Sequence, residues 1–362
     1  MTSLEVRTTT HVYEALIGRD LLGRAGELIV QRLARTNCAI VSDANVATLF
    51  AERLRRSLAA AGLRASSVIV PPGEKSKNLD QAGAVCEQMV AAGLDRQSFV
   101  IGLGGGAVGD LSGFVAAIFH RGIPHVQIPT TLLAMVDSSI GGKTAVNTTT
   151  GKNLLGAVHQ PALVIDDVDL LQTLPPRELR QGFAEIIKHA IIADAEMFAA
   201  LPQLIGRQLD GLKPSSLIEL IKCNVELKAR MVAEDELDRA GERALLNFGH
   251  TVGHAIERAG DYERFLHGEA VSLGIVAAST VSMKKAGLLQ AQRDAIVDLL
   301  SAFELPTRLP DDFPREKIFT AMVSDKKFES GRVRFVVTPR IGSACLSRDV
   351  TFEDIREAVD EL

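Results

Sequence analysis

The first half of the chain alternates short apolar runs with amphipathic segments, and this alternation strongly restricts its fold. The apolar runs are CAIVSDANV, ASSVIVPPGE and SFVIGLGGG, and the helical patterns between them are LFAERLRRSLAAAGL and NLDQAGAVCEQMVAAGL. Strands joined by crossover helices pair in parallel, because a short hairpin turn can only join antiparallel strands. We therefore predict an α/β domain built on a parallel sheet.

The pattern changes near residue 175, just after LQTLPP. Long helical periods follow in RELRQGFAEIIKHAIIAD, PSSLIELIKCNVELKARMVAEDE and GEAVSLGIVAASTVSMKKAGLL, and SGRVRFVVTPRIGSACLS has the pattern of a hairpin. A chain of 362 residues is long enough for two domains. We predict a Rossmann-like α/β domain over residues 1–174 and a mainly α-helical domain over residues 175–362.

The charge and composition exclude some partners. Lys and Arg number 40 and Asp and Glu number 45, so no cationic surplus is present to neutralise nucleic acid, and Trp is absent. The sequence has no run of about 20 apolar residues, so no membrane span is predicted. The N-terminus does not have the pattern of a signal peptide. The four cysteines have no C-x-x-C spacing and indicate a reducing compartment, so we expect a cytoplasmic protein.

A glycine run, GLGGGAVGD, follows the third of these strands. Gly104, Gly106 and Gly109 fit the spacing at which backbone N–H groups approach a dinucleotide pyrophosphate. The acidic residue expected about 20 positions later is missing, so a tight turn without a ligand is the alternative. Asp43 and Asn45 end an earlier strand at the same predicted sheet edge and favour a nucleotide.

A second loop, IPTTLLAMVDSSIGGKTAVNTTTGKNLLGA, combines small and hydroxyl residues with three charges. Asp137, Lys143 and Lys152 are these charges, and both lysines follow glycines. Lysines on glycine-hinged loops bind phosphates or carboxylates, whereas the alternative is a solvated linker. The branched apolar residues between the polar ones favour an anion-binding site. The glycosylation sequon at residues 147–149 is interpreted as a chance match.

Two histidines one helical turn apart, His250 and His254, lie in NFGHTVGHAIE. Glu185 on the helix RELRQGFAEIIKHA and His267 in LHGEAV would complete a site of two imidazoles and one carboxylate, which suits catalytic zinc. Three separated ligands are much less diagnostic than H-E-x-x-H. The spacing alone leaves a metal site, an acid/base pair and packed core histidines as alternatives.

Seven motifs occur in an order that resembles the 3-dehydroquinate synthase family. They are GGGAVGDLSGF, IPTTLLAMVDSSIGGKTAVN, GKNLLGA, LPPRELRQGFAEIIKH, ERALLNFGHTVGHAIE, LHGEAV and SDKK, and they extend from about residue 40 to residue 330. The resemblance implies NAD, zinc or cobalt, and the sugar phosphate 3-deoxy-D-arabino-heptulosonate 7-phosphate. It also implies release of phosphate and 3-dehydroquinate in the shikimate pathway of aromatic amino acid biosynthesis.

The resemblance also implies residue roles, carried over motif by motif. The metal ligands would be Glu185, His250 and His267. NAD would contact Asp43, Asn45, Glu74, Lys77, Gly105, Gly106, Asp110, Thr130, Thr131, Asp137, Lys143, Lys152, Thr173 and Leu174. The substrate would contact Lys143, Lys152, Asn153, Lys188, Lys228, Arg243, Asn247, His254 and Lys326 or Lys327. Arg121 would serve the neighbouring subunit's phosphate site, which implies a homodimer.

The implied chemistry explains these residue types. NAD would oxidise one secondary alcohol, which acidifies the neighbouring C–H for β-elimination of phosphate, and would then return the hydride. Ring opening and an intramolecular aldol step would close the carbocycle. The metal would polarise the alcohol oxygen, the cations would hold the phosphate, and His254 would transfer a proton or orient the leaving group.

One departure from the family pattern precedes RALLN. The family usually has D-E-x-E-x-G-x-R, whereas DELDRAGER has one more residue and Asp238 where Glu is expected. If that acidic side chain orients a substrate lysine, its geometry is altered, although a loop could absorb the insertion.

Three alternative functions remain at this point. The first is another sugar-phosphate cyclase, a 2-deoxy-scyllo-inosose or 2-epi-5-epi-valiolone synthase. This alternative is less favoured because the sequence has Lys188, Asn247 and His254. The second is a metal-dependent polyol dehydrogenase, which would have no use for the phosphate-binding lysines. The third is an inactive homologue that binds NAD, against which the intact metal triad argues.

Overall fold

The computed structural model describes residues 1–149, 151–205, 212–238, 241–323, 328–329 and 332–362. The chain divides into two compact units. The first comprises Met1–Leu174 and Lys213–Leu237, and the second comprises Pro175–Leu212 and Asp238–Leu362.

The elements are numbered along the chain. The strands are β1 (Thr2–Arg7), β2 (Val12–Gly18), β3 (Asn37–Asp43), β4 (Arg64–Val70), β5 (Phe99–Gly104), β6 (His125–Pro129), β7 (Lys143–Val146), β8 (Leu155–Val158), β9 (Leu163–Asp167), β10 (Phe328–Glu329), β11 (Arg332–Val333), β12 (Phe335–Arg340) and β13 (Ser343–Ser347). The α-helices are α1 (Ala25–Val30), α2 (Ala44–Ala60), α3 (Leu79–Ala91), α4 (Gly106–Ile118), α5 (Pro176–Ala193), α6 (Ala195–Ala200), α7 (Pro202–Ile205), α8 (Pro214–Glu234), α9 (His250–Ala259), α10 (His267–Ala286), α11 (Gln290–Ala302), α12 (Arg315–Val323) and α13 (Phe352–Asp360).

A seven-stranded sheet forms the centre of the first unit. Its order is β1-β2-β9-β6-β5-β3-β4, and only β1 is antiparallel to its neighbour. All six residues of β5 are buried, as expected for a parallel strand covered by helices on both faces. Ile40 and Ile101 belong to one apolar layer, and Val41 and Val100 belong to the layer on the opposite face. The predicted α/β domain is confirmed.

The strand order reverses between β3 and β5. From β3 the chain first continues outward to β4 and then returns to pair β5 with the other side of β3. At their carboxyl ends, β3 stops at Asp43 and β5 at Gly104. Doubly wound sheets bind ligands at such a switch point, because the loops leaving the two strands diverge and open a crevice.

Two hairpins were not anticipated by the sequence reading. Thr2 pairs with Ile17 in the β1–β2 hairpin, which uses the N-terminal segment as a sheet edge. Lys143 pairs with Val158 in the β7–β8 hairpin, so the cation-rich loop has regular structure on both sides of its turn. The predicted hairpin in SGRVRFVVTPRIGSACLS is present as β12 and β13.

Helix α8 packs with the first unit, although it lies beyond the predicted boundary at residue 174. Lys228 of α8 binds the Asp137 carboxylate at 2.6 Å, and Glu236 accepts a hydrogen bond from the Thr10 hydroxyl at 2.8 Å. Ile221 and Val225 are fully buried. An amphipathic pattern predicts that a helix has a buried face but does not identify the partner of that face. The predicted single boundary at residue 174 therefore did not include this segment in the first domain.

The second unit is mainly helical. Helices α5, α9 and α10 pack closely because glycines remove side chains where the backbones approach one another. A Cβ atom on Gly268 would lie 2.0 Å from the Gln181 carbonyl oxygen, and one on Gly274 would lie 2.0 Å from the Gly249 carbonyl oxygen. Among the described residues, no helix is both long and apolar enough to cross a membrane.

Candidate active site

Three helices of the second unit bring the predicted metal ligands together. Glu185 lies on α5, and His250 and His267 are the first residues of α9 and α10. The Nε2 atoms of His250 and His267 both lie 3.4 Å from Oε1 of Glu185. Ligands of tetrahedral zinc at about 2.0–2.1 Å from the metal stand about 3.3–3.4 Å apart. Two of the three ligand separations therefore match a tetrahedral zinc site, and all three candidate ligand atoms lie within 4.8 Å of one another.

The second nitrogen of each imidazole has an acceptor of its own. Nδ1 of His250 lies 3.2 Å from the Phe248 carbonyl oxygen, and Nδ1 of His267 lies 3.3 Å from Oε2 of Glu257. An Nδ1–H that donates to such an acceptor leaves the Nε2 lone pair available for a metal. We assign that tautomer to His250 from its contact, and to His267 once a metal displaces the proton on its Nε2 atom.

The backbone around His250 and His267 orients both side chains. Gly249 precedes α9 with φ 79°, a left-handed conformation, and a Cβ atom there would lie 2.9 Å from the Ile275 backbone nitrogen. At the start of α10, the Leu266 N–H donates to Oε2 of Glu269 at 2.8 Å and caps the helix. Both ligands thus lie at helix starts that the surrounding structure defines closely.

The electrostatics of the cluster suit a bound cation. Burial alone would raise the pKa of Glu185, but the Lys188 ammonium, which pairs with it, and His250 hold this pKa well below its ordinary value. Burial and the Lys188 charge lower the pKa of His250, which favours the neutral ring. Although burial lowers it, Glu257 and Glu185 together raise the pKa of His267 to about 10. Two carboxylates therefore create a negative potential at this imidazole.

His254 is exposed and lies against the two ligand imidazoles. Its ring centroid lies 5.2 Å from that of His250 and 5.9 Å from that of His267. Just before α9, Arg243 and Asn247 begin and end a 3₁₀ helix in which Arg243 is buried and Asn247 is half-buried. His254, Arg243 and Asn247 are thus close in sequence to the metal cluster but have different degrees of solvent access.

A buried charge network in the first unit contains three of the predicted NAD residues. Nζ of Lys77 lies 2.8 Å from Asp110 and 3.2 Å from Glu74. Burial opposes the charge of Lys77, but the two carboxylates raise its pKa above the ordinary value. Burial raises the pKa of Asp110 despite this contact, while Lys77 and Lys152 outweigh burial and lower the pKa of Glu74.

The glycine run forms the turn between β5 and α4. A Cβ atom on Gly105 would lie 3.1 Å from Cγ2 of Thr131, and one on Gly106 would lie 3.0 Å from Oγ of Ser138. The Thr130 N–H donates to the Gly104 carbonyl at 3.0 Å, which joins the ends of β5 and β6. Small residues are required here because neighbouring loops pack against the turn.

The other predicted NAD residues have individual structural roles. Oδ1 of Asp43 accepts the N–H groups of Asn45 at 2.9 Å and Val46 at 3.1 Å, so this carboxylate caps α2. The Asp137 carboxylate pairs with Lys228 at 2.6 Å. Thr173 is exposed at the end of a 3₁₀ helix, and Leu174, which follows it, is half-buried.

The predicted anion-binding cations lie on and after β7. Lys143 begins β7 and is exposed, whereas Lys152 approaches Glu74 at 3.9 Å. Asn153 has φ 55° and its N–H donates to Oδ1 of Asn147 at 3.0 Å. Lys152 and Asn153 thus lie beside the Lys77 network, within the first unit.

The remaining residues predicted for the substrate are Arg121 and the Lys326–Lys327 pair. Arg121 is exposed on the turn between α4 and β6, at the amino end of β6, which is the sheet edge opposite the glycine run. Lys326 and Lys327 lie outside the described residues.

Comparison with known proteins identifies the family of the chain. The family model for the N-terminal part of 3-dehydroquinate synthase matches residues 67–181, and the family model for the C-terminal part matches residues 182–328. The 3-dehydroquinate synthase of Symbiobacterium thermophilum is 44% identical over 353 residues, which cover 97% of this chain and 98% of that protein. The chain belongs to the 3-dehydroquinate synthase family.

Solved structures of related enzymes share the fold. A 2-deoxy-scyllo-inosose synthase, complexed with carbaglucose-6-phosphate, NAD+ and Co2+, matches with a TM-score of 0.90 at 24% identity and covers 99% of this chain and 100% of that chain. The 2-epi-5-epi-valiolone synthase of Streptomyces hygroscopicus, with NAD+ and Zn2+ bound, matches with a TM-score of 0.88 at 28% identity and covers 100% and 98%. The predicted fold class is confirmed for this 3-dehydroquinate synthase family member.

The departure from the family pattern lies in a turn. Asp238 has φ 56° and Gly241 has φ 111°, while residues 239–240 lie outside the described part of the chain. Arg243 is nevertheless buried at the start of its 3₁₀ helix. The family motif RALLN therefore forms a regular 3₁₀ helix directly after this segment.

Two residues with a structural role in this family member were not identified from sequence. Glu257 lies seven positions after His250 on α9, so helical periodicity places both on one face and could have indicated it. Asn147 was set aside as part of a chance sequon. Asn147 contacts residues that are distant in sequence, and such contacts produce no recognisable pattern in the neighbouring sequence.

Proposed function

We propose that the chain is a 3-dehydroquinate synthase, a carbon–oxygen lyase that converts 3-deoxy-D-arabino-heptulosonate 7-phosphate into 3-dehydroquinate and phosphate. The observation that carries this proposal is the Glu185, His250 and His267 cluster, with both Nε2 atoms 3.4 Å from the carboxylate oxygen, in a chain of this family. A cluster with these donors binds a divalent metal and leaves a position open for a substrate oxygen.

Zinc or cobalt would be held by Glu185, His250 and His267. When bound, the metal supplies Lewis-acid polarisation of a substrate oxygen. Glu257 orients His267 through Nδ1, and the Phe248 carbonyl orients His250 in the same way. Such second contacts commonly change metal affinity by about 10–100-fold.

NAD is assigned to the carboxyl edge of the parallel sheet at its switch point. When bound, NAD supplies a reversible hydride acceptor. The residues assigned to it are Asp43, Asn45, Glu74, Lys77, Gly105, Gly106, Asp110, Thr130, Thr131, Asp137, Lys143, Lys152, Thr173 and Leu174. The support is the close packing of the glycine turn and the buried Lys77 network beside it.

The substrate is assigned to cations, amides and one exposed histidine. The residues assigned to it are Lys143, Lys152, Asn153, Lys188, Lys228, Arg243, Asn247, His254 and Lys326 or Lys327. Lysine ammonium groups neutralise the phosphate and carboxylate of a sugar acid phosphate. His254 can move a proton because it is exposed and is not needed as a ligand in the cluster of Glu185, His250 and His267.

A homodimer is part of the proposal. Helix α4 has 13 residues and is therefore about 20 Å long, with the glycine turn at one end and the Arg121 turn at the other. An exposed arginine this far from its own nucleotide turn is well suited to a neighbouring subunit's site. A cytoplasmic location is also proposed, on the basis of four cysteines that have no C-x-x-C spacing in the sequence.

One assay separates this function from its alternatives. The purified protein is incubated with NAD, zinc and the heptulosonate phosphate, and both phosphate and 3-dehydroquinate are measured. Release of both in equal amounts is expected. Phosphate with a different carbocycle would indicate another cyclase, and no phosphate release would refute the assignment. Alcohol-dependent accumulation of NADH without phosphate release would indicate a polyol dehydrogenase.

A further inference from the structure

Asn147 is bonded on both sides to residues that the proposed function assigns to ligands. Its Nδ2 donates to Oε1 of Glu74 at 2.8 Å, and its Oδ1 accepts the Asn153 N–H at 3.0 Å. Its own backbone N–H donates to the Lys77 carbonyl at 2.7 Å. All four residues belong to the first compact unit. One side chain therefore connects the loop after β4 with the loop between β7 and β8.

The connection matters because, among the described residues, the loop after β7 is otherwise held mainly by the bonds between Thr148 and Gly151. The loop after β4 contains only a three-residue 3₁₀ helix, Glu74–Ser76, and pairs with Asn147 through one isolated bridge at Asn78. Asn153 has φ 55°, a left-handed conformation that few residue types other than glycine, Asn and Asp adopt readily. The bond from Oδ1 of Asn147 stabilises this turn and with it the direction of the adjacent Lys152.

The same contacts exclude the glycan interpretation of the sequon at residues 147–149. A glycan would be attached to Nδ2 of Asn147, but this nitrogen donates to Glu74, and Asn147 is only half-exposed. The amide is also chemically specific. It presents a donor to a carboxylate and an acceptor to a backbone N–H at once, which neither Asp nor Ala can do.

We propose that Asn147 is a positioning residue that sets the Glu74 carboxylate for NAD and the Lys152–Asn153 turn for the substrate. The inference rests on the proposed function for the identity of the two ligands. Asn147 itself contacts neither ligand in this proposal. It acts through Glu74 on one side and through Asn153 on the other.

Two variants separate the two sides. Asn147→Ala removes both side-chain bonds. Asn147→Asp keeps an oxygen for the Asn153 N–H but places a second carboxylate against Glu74, which already pairs with Lys77 and Lys152. Thr149→Ala is the matched control, because Thr149 lies in the same loop and its side chain is exposed.

The test measures NAD dissociation constants by calorimetry on the zinc-loaded protein, and KM and kcat for the heptulosonate phosphate at saturating NAD. For Asn147→Ala we expect both the NAD constant and KM to rise about tenfold, as for loss of a hydrogen bond to a charged group, while kcat changes less. For Asn147→Asp we expect at least as large a rise in the NAD constant but a smaller rise in KM. Thr149→Ala should match the wild type.

The proposal is overturned if Asn147→Asp binds NAD within about twofold of the wild type. It is also overturned if either Asn147 variant loses kcat alone with KM and the NAD constant unchanged, because that result means a smaller folded fraction. The NAD titration needs no turnover. A wild-type protein that binds NAD but forms no dehydroquinate would therefore refute the function without hiding the effect of Asn147.

Discussion

At the scale of single residues, the two histidines of α9 differ in what surrounds them. His250 is buried, with one ring nitrogen beside a backbone carbonyl and the other 3.4 Å from Glu185. His254 lies one turn later and is exposed. The same helical face therefore carries a buried candidate metal ligand and an exposed histidine, which is the difference that spacing alone could not show.

Substitution should separate these two roles. His250→Ala is expected to lose metal and activity together. His254→Ala is expected to keep the metal and to lose about 10²–10⁴-fold in kcat, the usual contribution of a proton-transfer group. Metal content by atomic spectroscopy and steady-state kinetics measure both. Loss of metal from His254→Ala would show that the assigned roles are wrong.

Asp166 is a second residue whose environment is unusual. It lies on β9, it is fully buried, and neither carboxylate oxygen has a hydrogen-bond partner among the described residues. Burial raises the pKa of Asp166 well above its ordinary value of 3.8. The folded protein therefore holds this carboxyl as the neutral acid at pH values where the unfolded chain ionises it.

This difference predicts a pH dependence of stability. Because the folded pKa is raised, the contribution of Asp166 is fully present below pH 3.8 and is lost as pH rises toward the folded value. Asp166→Asn cannot ionise at this position. The Tm of the variant minus the Tm of the wild type should therefore increase from pH 5 to pH 9, by about 2–4 °C for each kcal/mol of unfolding free energy that the wild type loses. The exposed Asp80→Asn serves as the control. A Tm difference for Asp166→Asn that stays constant with pH would contradict the prediction.

At the scale of elements, the metal cluster depends on how α9 starts. Gly249 has φ 79° and lies against α10, where a Cβ atom would be 2.9 Å from the Ile275 nitrogen and 2.8 Å from its Cγ1. His250 follows directly as the first residue of α9. The position of one metal ligand is therefore set by a left-handed residue for which only glycine has space.

Gly249→Ala should accordingly reduce both stability and metal affinity. The left-handed conformation costs alanine about 1–2 kcal/mol, and the steric overlap with α10 adds about 1–3 kcal/mol. Gly287→Ala is a matched control, because Gly287 has φ 83° but a Cβ atom there would meet nothing within 4 Å. Thermal melts and zinc titration measure the effects. Equal losses in the two variants would mean that contact with α10 is unimportant.

At the scale of the whole molecule, Arg121 would give the proposed homodimer a catalytic role. Its turn is exposed and lies at the opposite sheet edge from the nucleotide turn of its own chain. In a twofold dimer each subunit would give one arginine and receive one. In the proposed dimer, activity would therefore depend on residues from two chains.

Mixed dimers test this dependence. Arg121→Ala and His250→Ala are each expected to be almost inactive alone. After mixing in equal amounts with exchange of subunits, half of the dimers are mixed, and one of their two sites is intact. About a quarter of wild-type activity should return. Exchange is verified by differently tagged chains, and no recovery in verified mixed dimers would refute the assignment of Arg121.

Much of the fold follows from short-range pattern. The apolar runs became β3, β4 and β5, and the periodic segments became α2, α3, α5, α8 and α10, because a strand or helix is recognisable from its own residues. The β7–β8 hairpin was not recognised, since Leu155 and Val158 of β8 are exposed although Ala145 and Val146 of β7 are buried. The local sequence pattern also could not predict which part of the chain α8 packs against.

For the site, the sequence by itself determined which residue types and motifs are present, and their order was sufficient to indicate the family. Only the tertiary structure decided the geometry: that both imidazoles approach one oxygen of Glu185, that Glu257 contacts His267, and that Asn147 bonds Glu74 across 73 residues of chain. The physical reason is range. Periodicity and capping act within a few residues, whereas metal ligands and positioning bonds meet through the packing of elements that are distant in sequence.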